Sequence, residues 1–229
     1  MTWVQEAKPV QKHSRFPETD IYCITASRFS RGRSNLEVVH RMIDAGIRII
    51  QYREPDFSML KKYHECMAIR DLTARHGVCF IVNDDVHLAL AVDSDGVHVG
   101  QDDLPVEKVR EIVGREMIIG LSTHSPEQAD KAVAAGIADY IGVGPLFPTS
   151  TKKDVIPPVG LGYLDYVVAH HNIPFVAIGG IKEHNVRDIV GHGARCISLV
   201  TEIVGATDIE AKIKAVREYI STTKAARFH

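Results

Sequence analysis

Eight short apolar segments, each followed by a stretch with helical character, are the feature that most constrains how this chain can fold. The segments are rich in β-branched residues and almost continuously apolar, which is typical of parallel strands covered on the outside by helices. Eight strand–helix units in about 200 residues predict an α/β fold, a (β/α)8 TIM barrel in a single domain, with a doubly wound open sheet as the alternative. The predicted strands are residues 21–25, 47–52, 78–83, 96–100, 117–122, 139–143, 175–179 and 196–200.

Helix-start signals between these segments support the same organisation. Ser125, Pro126 and Gln128 offer an N-cap, a proline at the first helical position and a capping-box glutamine. Residues 207–210 read as a second capping box, and the helix after it has one apolar face, made by Ile209, Ile213, Val216 and Ile220.

A further helix is predicted to begin after Asp56, which would be its N-cap. Its helically spaced apolar residues are expected to face the core: Phe57, Leu60, Tyr63 and Met67. The domain organisation that follows is an N-terminal arm at residues 1–19, a barrel at residues 20–222 and a tail at residues 223–229.

Composition places the chain among ordinary globular proteins. It has 229 residues, of which 45% are hydrophobic and 24% are charged, with a formal net charge of -2. This balance argues against a nucleic-acid partner, and no stretch approaches the ~18 apolar residues of a membrane span. The scattered cysteines form no C-x-x-C pair and three of them fall inside predicted strands, so we expect buried reduced thiols and a cytoplasmic protein: Cys23, Cys66, Cys79 and Cys196.

Polar side chains follow seven of the predicted strands, at the end of the barrel where active sites of this fold lie. Asp84 and Asp103 follow neighbouring strands, with Asn83 beside the first of them. Because Mg²⁺ prefers carboxylates, waters and phosphate oxygens, these two aspartates predict a Mg²⁺ site. Arg53 and Lys152 would lie opposite, and cations facing a metal-binding pair fit a diphosphate bridged by Mg²⁺.

The acidic neighbours Asp85 and Asp102 have a simpler interpretation. Each precedes a predicted helix, so we expect their side chains to cap those helices rather than to bind metal.

The loop at residues 144–153, Gly-Pro-Leu-Phe-Pro-Thr-Ser-Thr-Lys-Lys, directly follows the sixth strand. Prolines restrict its conformations, Thr149 and Thr151 offer hydroxyl groups, and Lys152 supplies positive charge. This chemistry is typical of a loop that closes over an anion, although a lysine-tipped surface turn has the same composition.

A second anion site is predicted where the seventh and eighth strands end, the usual phosphate-binding corner of such barrels. Gly179-Gly180 would expose backbone N–H groups there, and Thr201 would follow the last strand before a short turn at residues 202–205. A simple backbone bend explains the glycine pair equally well. Of two histidines near this end, His98 within a strand is interpreted as structural, while His124 is equally compatible with a structural or a catalytic role.

The ordered set of strand ends resembles the thiamine phosphate synthase family over residues 20–220. The resemblance rests on six segments in this order: Gln-Tyr-Arg-Glu at 51–54, Ile-Val-Asn-Asp-Asp at 81–85, Gly-Val-His-Val-Gly-Gln-Asp-Asp at 96–103, Gly-Leu-Ser-Thr-His at 120–124, Asp-Tyr-Ile-Gly-Val-Gly-Pro at 139–145 with Phe-Pro-Thr-Ser-Thr-Lys at 147–152, and Ala-Ile-Gly-Gly-Ile at 177–181. It implies a (β/α)8 barrel that joins hydroxymethylpyrimidine diphosphate to a thiazole phosphate and releases pyrophosphate by a dissociative, Mg²⁺-assisted mechanism.

The resemblance also implies a role for each matching residue. Asp84 and Asp103 would hold Mg²⁺, Arg53, Asn83 and Lys152 would bind the diphosphate, and Gln51 would hydrogen-bond the aminopyrimidine. Ser122, Thr149 and Thr151 would line the reacting centre, and Gly180 and Thr201 would receive the thiazole phosphate; catalysis would fall to Ser122, Lys152 and Arg53. The partners are then small-molecule substrates rather than nucleic acid or membrane, and a homo-oligomer is compatible with the sequence.

One position departs from the family pattern. The family usually has lysine after the Arg-Glu pair, where this chain has Pro55, so one contact to the diphosphate is missing. Lys61 and Lys62 lie on the next helix, where either could supply the missing charge. We expect both side chains to face solvent instead.

Two other functions remain open from the sequence. An aminothiazole tautomerase on the same barrel would use His124 as a proton shuttle, but it would not need the Asp84/Asp103 pair or the complete 149–152 loop. A non-catalytic thiamine phosphate-binding protein is supported only by Pro55.

Overall fold

A computed structural model describes residues 15–152 and 156–226, and within these the eight predicted strands form one parallel sheet in the order β1 to β8. The strands are β1 (Cys23–Ile24), β2 (Ile49–Tyr52), β3 (Cys79–Asn83), β4 (Gly96–Val99), β5 (Ile118–Thr123), β6 (Tyr140–Val143), β7 (Phe175–Ile178) and β8 (Ile197–Ser198). Backbone hydrogen bonds from Tyr22 N to Ile197 O and from Ile197 N to Asp20 O, both 3.0 Å, join the two ends of the sheet. The TIM barrel is confirmed, and the open-sheet alternative is wrong.

Helices connect the strands on the outside of the barrel. They are α1 (Asn35–Asp44), α2 (Met59–His76), α3 (Val86–Ala91), α4 (Val106–Val113), α5 (Pro126–Ala135), α6 (Gly160–His170), α7 (Val186–Gly191), α8 (Val200–Val204) and α9 (Ile209–Ala226), with 3-10 turns at Ser27–Phe29 and Glu183–Asn185. None of these helices is long and apolar enough to cross a membrane. Of the proposed arm and tail, residues 1–14 and 227–229 lie outside the described residues, and α9 extends into the expected tail.

Two apolar layers hold the barrel together. The larger layer packs strands against helices and includes the predicted face of α9, whose four residues are at most 4% exposed. The smaller layer fills the inside of the barrel with residues such as Ile49, Ile81 and Tyr140. Phe16 packs on the Tyr140 ring with centroids 4.5 Å apart, so the segment before β1 contributes to this inner layer.

The N-cap predictions are confirmed at one helix and need correction at two others. Ser125 Oγ accepts from Gln128 N at the start of α5, as expected. At α9 the cap is one residue later than the predicted box, because Asp208 Oδ1 accepts from Ala211 N at 2.9 Å. At α2 the cap is Ser58 rather than Asp56.

The predicted core face of α2 is wrong. Leu60 is 67% exposed, and Tyr63 and Met67 are each 37% exposed, whereas Cys66 and Ile69 on the adjacent stripe are fully buried. Both stripes have helical spacing, so periodicity alone does not decide which of them packs on the barrel.

Candidate active site

A cavity of about 340 Å³ opens at the carboxyl ends of the strands, and residues from all eight strand ends line it. Every residue that the sequence singled out for binding or catalysis lies on its wall: Gln51, Arg53, Asn83, Asp84, Asp103, Ser122, Thr149, Thr151, Lys152, Gly180 and Thr201. The structure therefore brings the expected set together in one cavity.

An acidic pair forms one part of the wall. The carboxyl groups of Asp84 and Asp103 lie close enough to influence each other, and Asp103 Oδ2 accepts from Gly100 N at 2.6 Å. Asp84 has a left-handed backbone with φ of 60°, a conformation that aspartate tolerates better than most residues. Partial burial, and then the negative charge of Asp103, raise the pKa of the Asp84 carboxyl to about 6. Two neighbouring carboxylates are suited to sharing a divalent cation.

Magnesium fits this pair by its chemistry. Within residues 15–152 and 156–226, no group of three or more His, Cys, Asp or Glu side chains could hold a metal. Mg²⁺ binds through one or two carboxylates together with waters and phosphate oxygens, so two carboxylates suffice when a phosphorylated substrate supplies the remaining ligands.

Two cations face the acidic pair. Desolvation lowers the pKa of the Arg53 guanidinium, and the same cause, followed by the charge of Arg53, lowers the pKa of Lys152. The backbone N–H of Arg53 donates to Thr25 Oγ1 at 2.9 Å, which fixes the residue at the end of β2. Its Nε is buried and has no hydrogen-bond partner among the described residues. A buried charged donor without an acceptor is costly, which indicates that an anionic ligand completes this site.

The loop after β6 is held at its base by β7. Leu146 N donates to Ile178 O at 2.9 Å and Phe147 N donates to Gly179 O at 3.0 Å. Gly179 has φ of 96°, and a Cβ there would lie 2.4 Å from Pro145 Cα, so only glycine allows this approach. Close packing of the loop thus explains Gly179 without a ligand.

The outer part of the loop carries the hydroxyl groups and the lysine. Thr149 Oγ1 and Thr151 Oγ1 are 3.1 Å apart, and Arg28 Nη2, from the turn after β1, donates to Ser150 O at 3.1 Å. Lys152 ends this part of the described chain, and Lys153 lies outside it. Contacts with the end of β7 and with the turn after β1 therefore hold the loop beside the cavity.

The second predicted anion corner contains a cation that the sequence analysis missed. Lys182 Nζ donates to Thr201 Oγ1 at 2.9 Å and forms an ion pair with Glu202 at 3.2 Å. Lys182 lines the same cavity as Gly180 and Thr201. Its signal in the sequence was its position two residues after the glycine pair. One correction applies here: β8 ends at Ser198, so Thr201 lies within α8 rather than after a strand.

The structure also corrects the expectations for the residues around the acidic pair. Lys62 does not face solvent: its side chain is 14% exposed and its Nζ is 2.7 Å from Asp85 Oδ2. Asp85 lies at the N-cap position of α3, but no hydrogen bond joins its side chain to that helix. Asp102 is not a cap, since Pro105 occupies that position in α4.

Both histidines near the cavity have hydrogen-bond partners. His98 Nδ1 lies 3.0 Å from Tyr140 Oη, and its Nε2 lies 3.0 Å from Ser122 Oγ, which agrees with the expectation of a satisfied histidine. Burial lowers the pKa of His98 to about 3, so the ring is neutral. His124 lines the cavity, where its Nδ1 donates to Gly144 O at 2.6 Å.

The comparisons with known proteins cover all eight strands of the barrel. The family model described as thiamine monophosphate synthase matches residues 21–203. The chain belongs to this family. It is 63% identical to the thiamine-phosphate synthase of Pelotomaculum thermopropionicum over 204 residues, which cover 89% of this chain and 93% of that protein. It is 56% identical to the thiamine-phosphate synthase of Lawsonia intracellularis over 203 residues, with the same two coverages.

A solved structure of a similar protein has the same fold as this chain. The thiamine phosphate pyrophosphorylase from Pyrococcus furiosus superposes with a TM-score of 0.80 at 33% identity, covering 89% of this chain and 96% of that one. The family resemblance inferred from the strand ends is thus confirmed, and the family is one of transferases.

Proposed function

We propose that this protein is a thiamine phosphate synthase, which joins 4-amino-5-hydroxymethyl-2-methylpyrimidine diphosphate to a thiazole phosphate. The bond between the pyrimidine methylene carbon and the diphosphate oxygen breaks, and pyrophosphate leaves with the electron pair. The thiazole nitrogen then bonds to the methylene carbon, giving thiamine phosphate. The observation that carries this proposal is the single cavity with cations at two places, Arg53 and Lys152 at one and Lys182 at the other.

The pyrimidine diphosphate would occupy the end of the cavity near the acidic pair. The buried Nε of Arg53 and the Lys152 ammonium would neutralise the charge that grows on the departing pyrophosphate, and Asn83 would add a hydrogen bond. Asp84 and Asp103 would hold Mg²⁺, which as a Lewis acid would stabilise the same charge.

The pyrimidine ring would lie deeper, where Gln51 and Ser122 reach the cavity from β2 and β5. The side-chain nitrogen of Gln51 donates to Tyr22 Oη at 3.1 Å, which leaves the side-chain oxygen to accept from the amino group of the pyrimidine. Ser122 would contact the substrate near the reacting carbon.

The thiazole phosphate would bind at the other end of the cavity. Gly180, Thr201 and the ammonium of Lys182 would receive its phosphate group. Thr149 and Thr151 would lie between the two substrates and help to exclude water, because water would trap the pyrimidine cation as an alcohol.

This chemistry needs positioning more than acid–base catalysis, and the wall of the cavity is built for positioning. A tautomerase would not need an arginine whose buried Nε lacks a partner in the described part of the chain, beside two carboxylates. We also propose a reducing, cytoplasmic setting, because Cys23, Cys66, Cys79 and Cys196 are free, and free thiols persist in such compartments. Assembly into a homo-oligomer stays a prediction.

The decisive experiment measures pyrophosphate release by the purified protein with both substrates, in Mg²⁺ and in EDTA. We expect release that requires Mg²⁺ and the thiazole phosphate, together with formation of thiamine phosphate. Lys152→Met should lower this activity at least tenfold through loss of a charge-assisted contact. Lys108→Met, at an exposed ion pair on α4, is the matched control and should be neutral. Binding of thiamine phosphate without turnover would instead select the non-catalytic reading.

A further inference from the structure

A chain of five polar side chains crosses the inside of the barrel from β2 to β5. Gln51 Nε2 lies 3.1 Å from Tyr22 Oη, Tyr22 Oη lies 2.8 Å from Tyr140 Oη, and Tyr140 Oη lies 3.0 Å from His98 Nδ1. His98 Nε2 is 3.0 Å from Ser122 Oγ, which ends the chain, and all five residues line the cavity. Gln51, Tyr22 and Tyr140 are at most 3% exposed. The two ends of the chain, Gln51 and Ser122, are both expected substrate contacts.

The Gln51 end sets the direction of every hydrogen bond in the chain. An amide nitrogen only donates, so Tyr22 Oη accepts from Gln51, and its own proton is available for Tyr140. Tyr140 in turn donates to His98 Nδ1, which places the proton of the neutral imidazole on Nε2. His98 Nε2 then donates to Ser122 Oγ, so the proton of Ser122 is not used within the chain.

The substrate chemistry supports this orientation of Gln51. The amino group of the pyrimidine is a donor and needs the amide oxygen of Gln51, which turns the amide nitrogen towards Tyr22. The orientation of the amide is therefore fixed from two sides.

We propose that this chain fixes Ser122 Oγ as a hydrogen-bond donor to an acceptor atom of the bound pyrimidine diphosphate, with Tyr22, Tyr140 and His98 as positioning residues. This inference rests on the proposed function of the same cavity. In the reverse direction, Ser122 would donate to His98 Nε2 and would present only lone pairs to a ligand that carries a diphosphate and ring nitrogens. The chain therefore excludes the unproductive orientation of the serine before substrate binds.

The test is a double-mutant cycle between Tyr140→Phe and Ser122→Ala, measured as kcat/KM for the pyrimidine diphosphate. Each change alone should lower this value about tenfold, the effect of one lost hydrogen bond. The double variant should also lose about tenfold rather than about a hundredfold, because both changes remove the same donor. KM for the thiazole phosphate should not change.

Tyr163→Phe is the matched control. Tyr163 Oη donates to Thr123 Oγ1 at 2.6 Å, so this change also removes a buried tyrosine hydroxyl that contacts β5, beside Ser122 but outside the cavity lining. It should leave kcat/KM within about twofold, since the five hydrogen-bonded side chains from Gln51 to Ser122 all stay in place. A loss of about a hundredfold in the double variant, or a loss of about tenfold in Tyr163→Phe, would overturn the proposal.

The intact protein offers a second measurement that does not depend on the folding of a variant. Nitrogen-15 NMR of labelled histidine reports which ring nitrogen carries the proton, and His98→Gln identifies the signal among the 12 histidines. We expect the proton of His98 on Nε2, and a proton on Nδ1 would refute the direction of the chain. An inactive wild-type protein would count against the proposed function, while this signal would still decide the orientation.

A comparison of His98→Gln with His98→Asn adds a rescue. Glutamine places an amide donor near the former Nε2 position, whereas the shorter asparagine leaves Ser122 without that partner. Activity should be higher in His98→Gln than in His98→Asn, and the opposite order would contradict the assignment.

Discussion

Replacing Asp84 by asparagine should stabilise the metal-free protein while abolishing its response to Mg²⁺. The carboxyl group of Asp84 is held beside that of Asp103, so at neutral pH two negative charges repel each other unless a cation or a proton is present. Asparagine keeps the shape and also tolerates the left-handed backbone at this position, where φ is 60°. The substitution therefore removes charge without adding backbone strain.

The magnitude follows from the raised pKa of Asp84. A rise from 3.8 to about 6 would correspond to roughly 3 kcal/mol for a fully enclosed group. Because Asp84 is exposed at the rim of the cavity, solvent screening reduces this to about 1 kcal/mol. For a chain of this size, about 1 kcal/mol raises Tm by about 2–4 °C.

The sign depends on pH. A carboxyl group with a raised pKa in the folded state binds its proton more tightly there than in the unfolded state. Its contribution to stability is fully present below pH of about 4 and is lost as pH rises through about 6. The gain from Asp84→Asn should therefore appear at pH 8 and vanish near pH 4.

Thermal unfolding with and without Mg²⁺, at pH 8 and pH 4, tests this reasoning. Wild type should gain stability from Mg²⁺ in the presence of pyrophosphate, and Asp84→Asn should not. Asp93→Asn is the matched control, because it makes the same change at another left-handed aspartate, with φ of 52°, that does not line the cavity. A lower Tm for metal-free Asp84→Asn at pH 8, or an unchanged response to Mg²⁺, would refute the charge-pair argument.

Four further changes address other parts of the site. Lys182→Met should raise KM for the thiazole phosphate about tenfold without changing KM for the pyrimidine diphosphate, which steady-state kinetics will show. Pro55→Lys should raise kcat/KM for the pyrimidine diphosphate about tenfold or more by restoring a cation, and a flat response would show that the site has adapted to proline. Arg28→Ala removes the bond to Ser150 O, so chromatography should detect a larger share of pyrimidine alcohol among the products. Gly179→Ala should lower the free energy of unfolding by about 3 kcal/mol in urea, since φ is 96° there, and a loss below about 1 kcal/mol would contradict the packing argument.

The strands could be predicted from the sequence because each is a short apolar run between clear helix signals. Helix orientation could not be predicted in the same way, and α2 shows the reason. Two stripes of α2 carry apolar residues at helical spacing, one with Cys66 and Ile69 and the other with Leu60 and Tyr63. Only the position of the helix on the barrel decides between them, and that is a property of the assembled fold.

The lining of the cavity could be predicted because polar residues that follow parallel strands must meet at one end of a barrel. The hydrogen bonds that join the deeper side chains of this lining could not. Tyr22 and Tyr140 belong to the apolar layer inside the barrel, and in the sequence they look like ordinary core aromatics. Lys182 was missed for a different reason, because its contact with Thr201 joins segments after two different strands.

Some polar groups in the cavity already have hydrogen-bond partners, and the charged group of Arg53 keeps a donor for a ligand. This difference agrees with a reaction that separates charge. The deep groups, such as His98 and Tyr140, satisfy one another and are fixed before substrate arrives. The cationic side chain of Arg53 keeps a buried donor that has no partner within residues 15–152 and 156–226, and an anion would supply its hydrogen bond. A site of this kind orients the neutral ring through preformed bonds and keeps its unpaired charge for the leaving pyrophosphate, where stabilisation accelerates bond breaking.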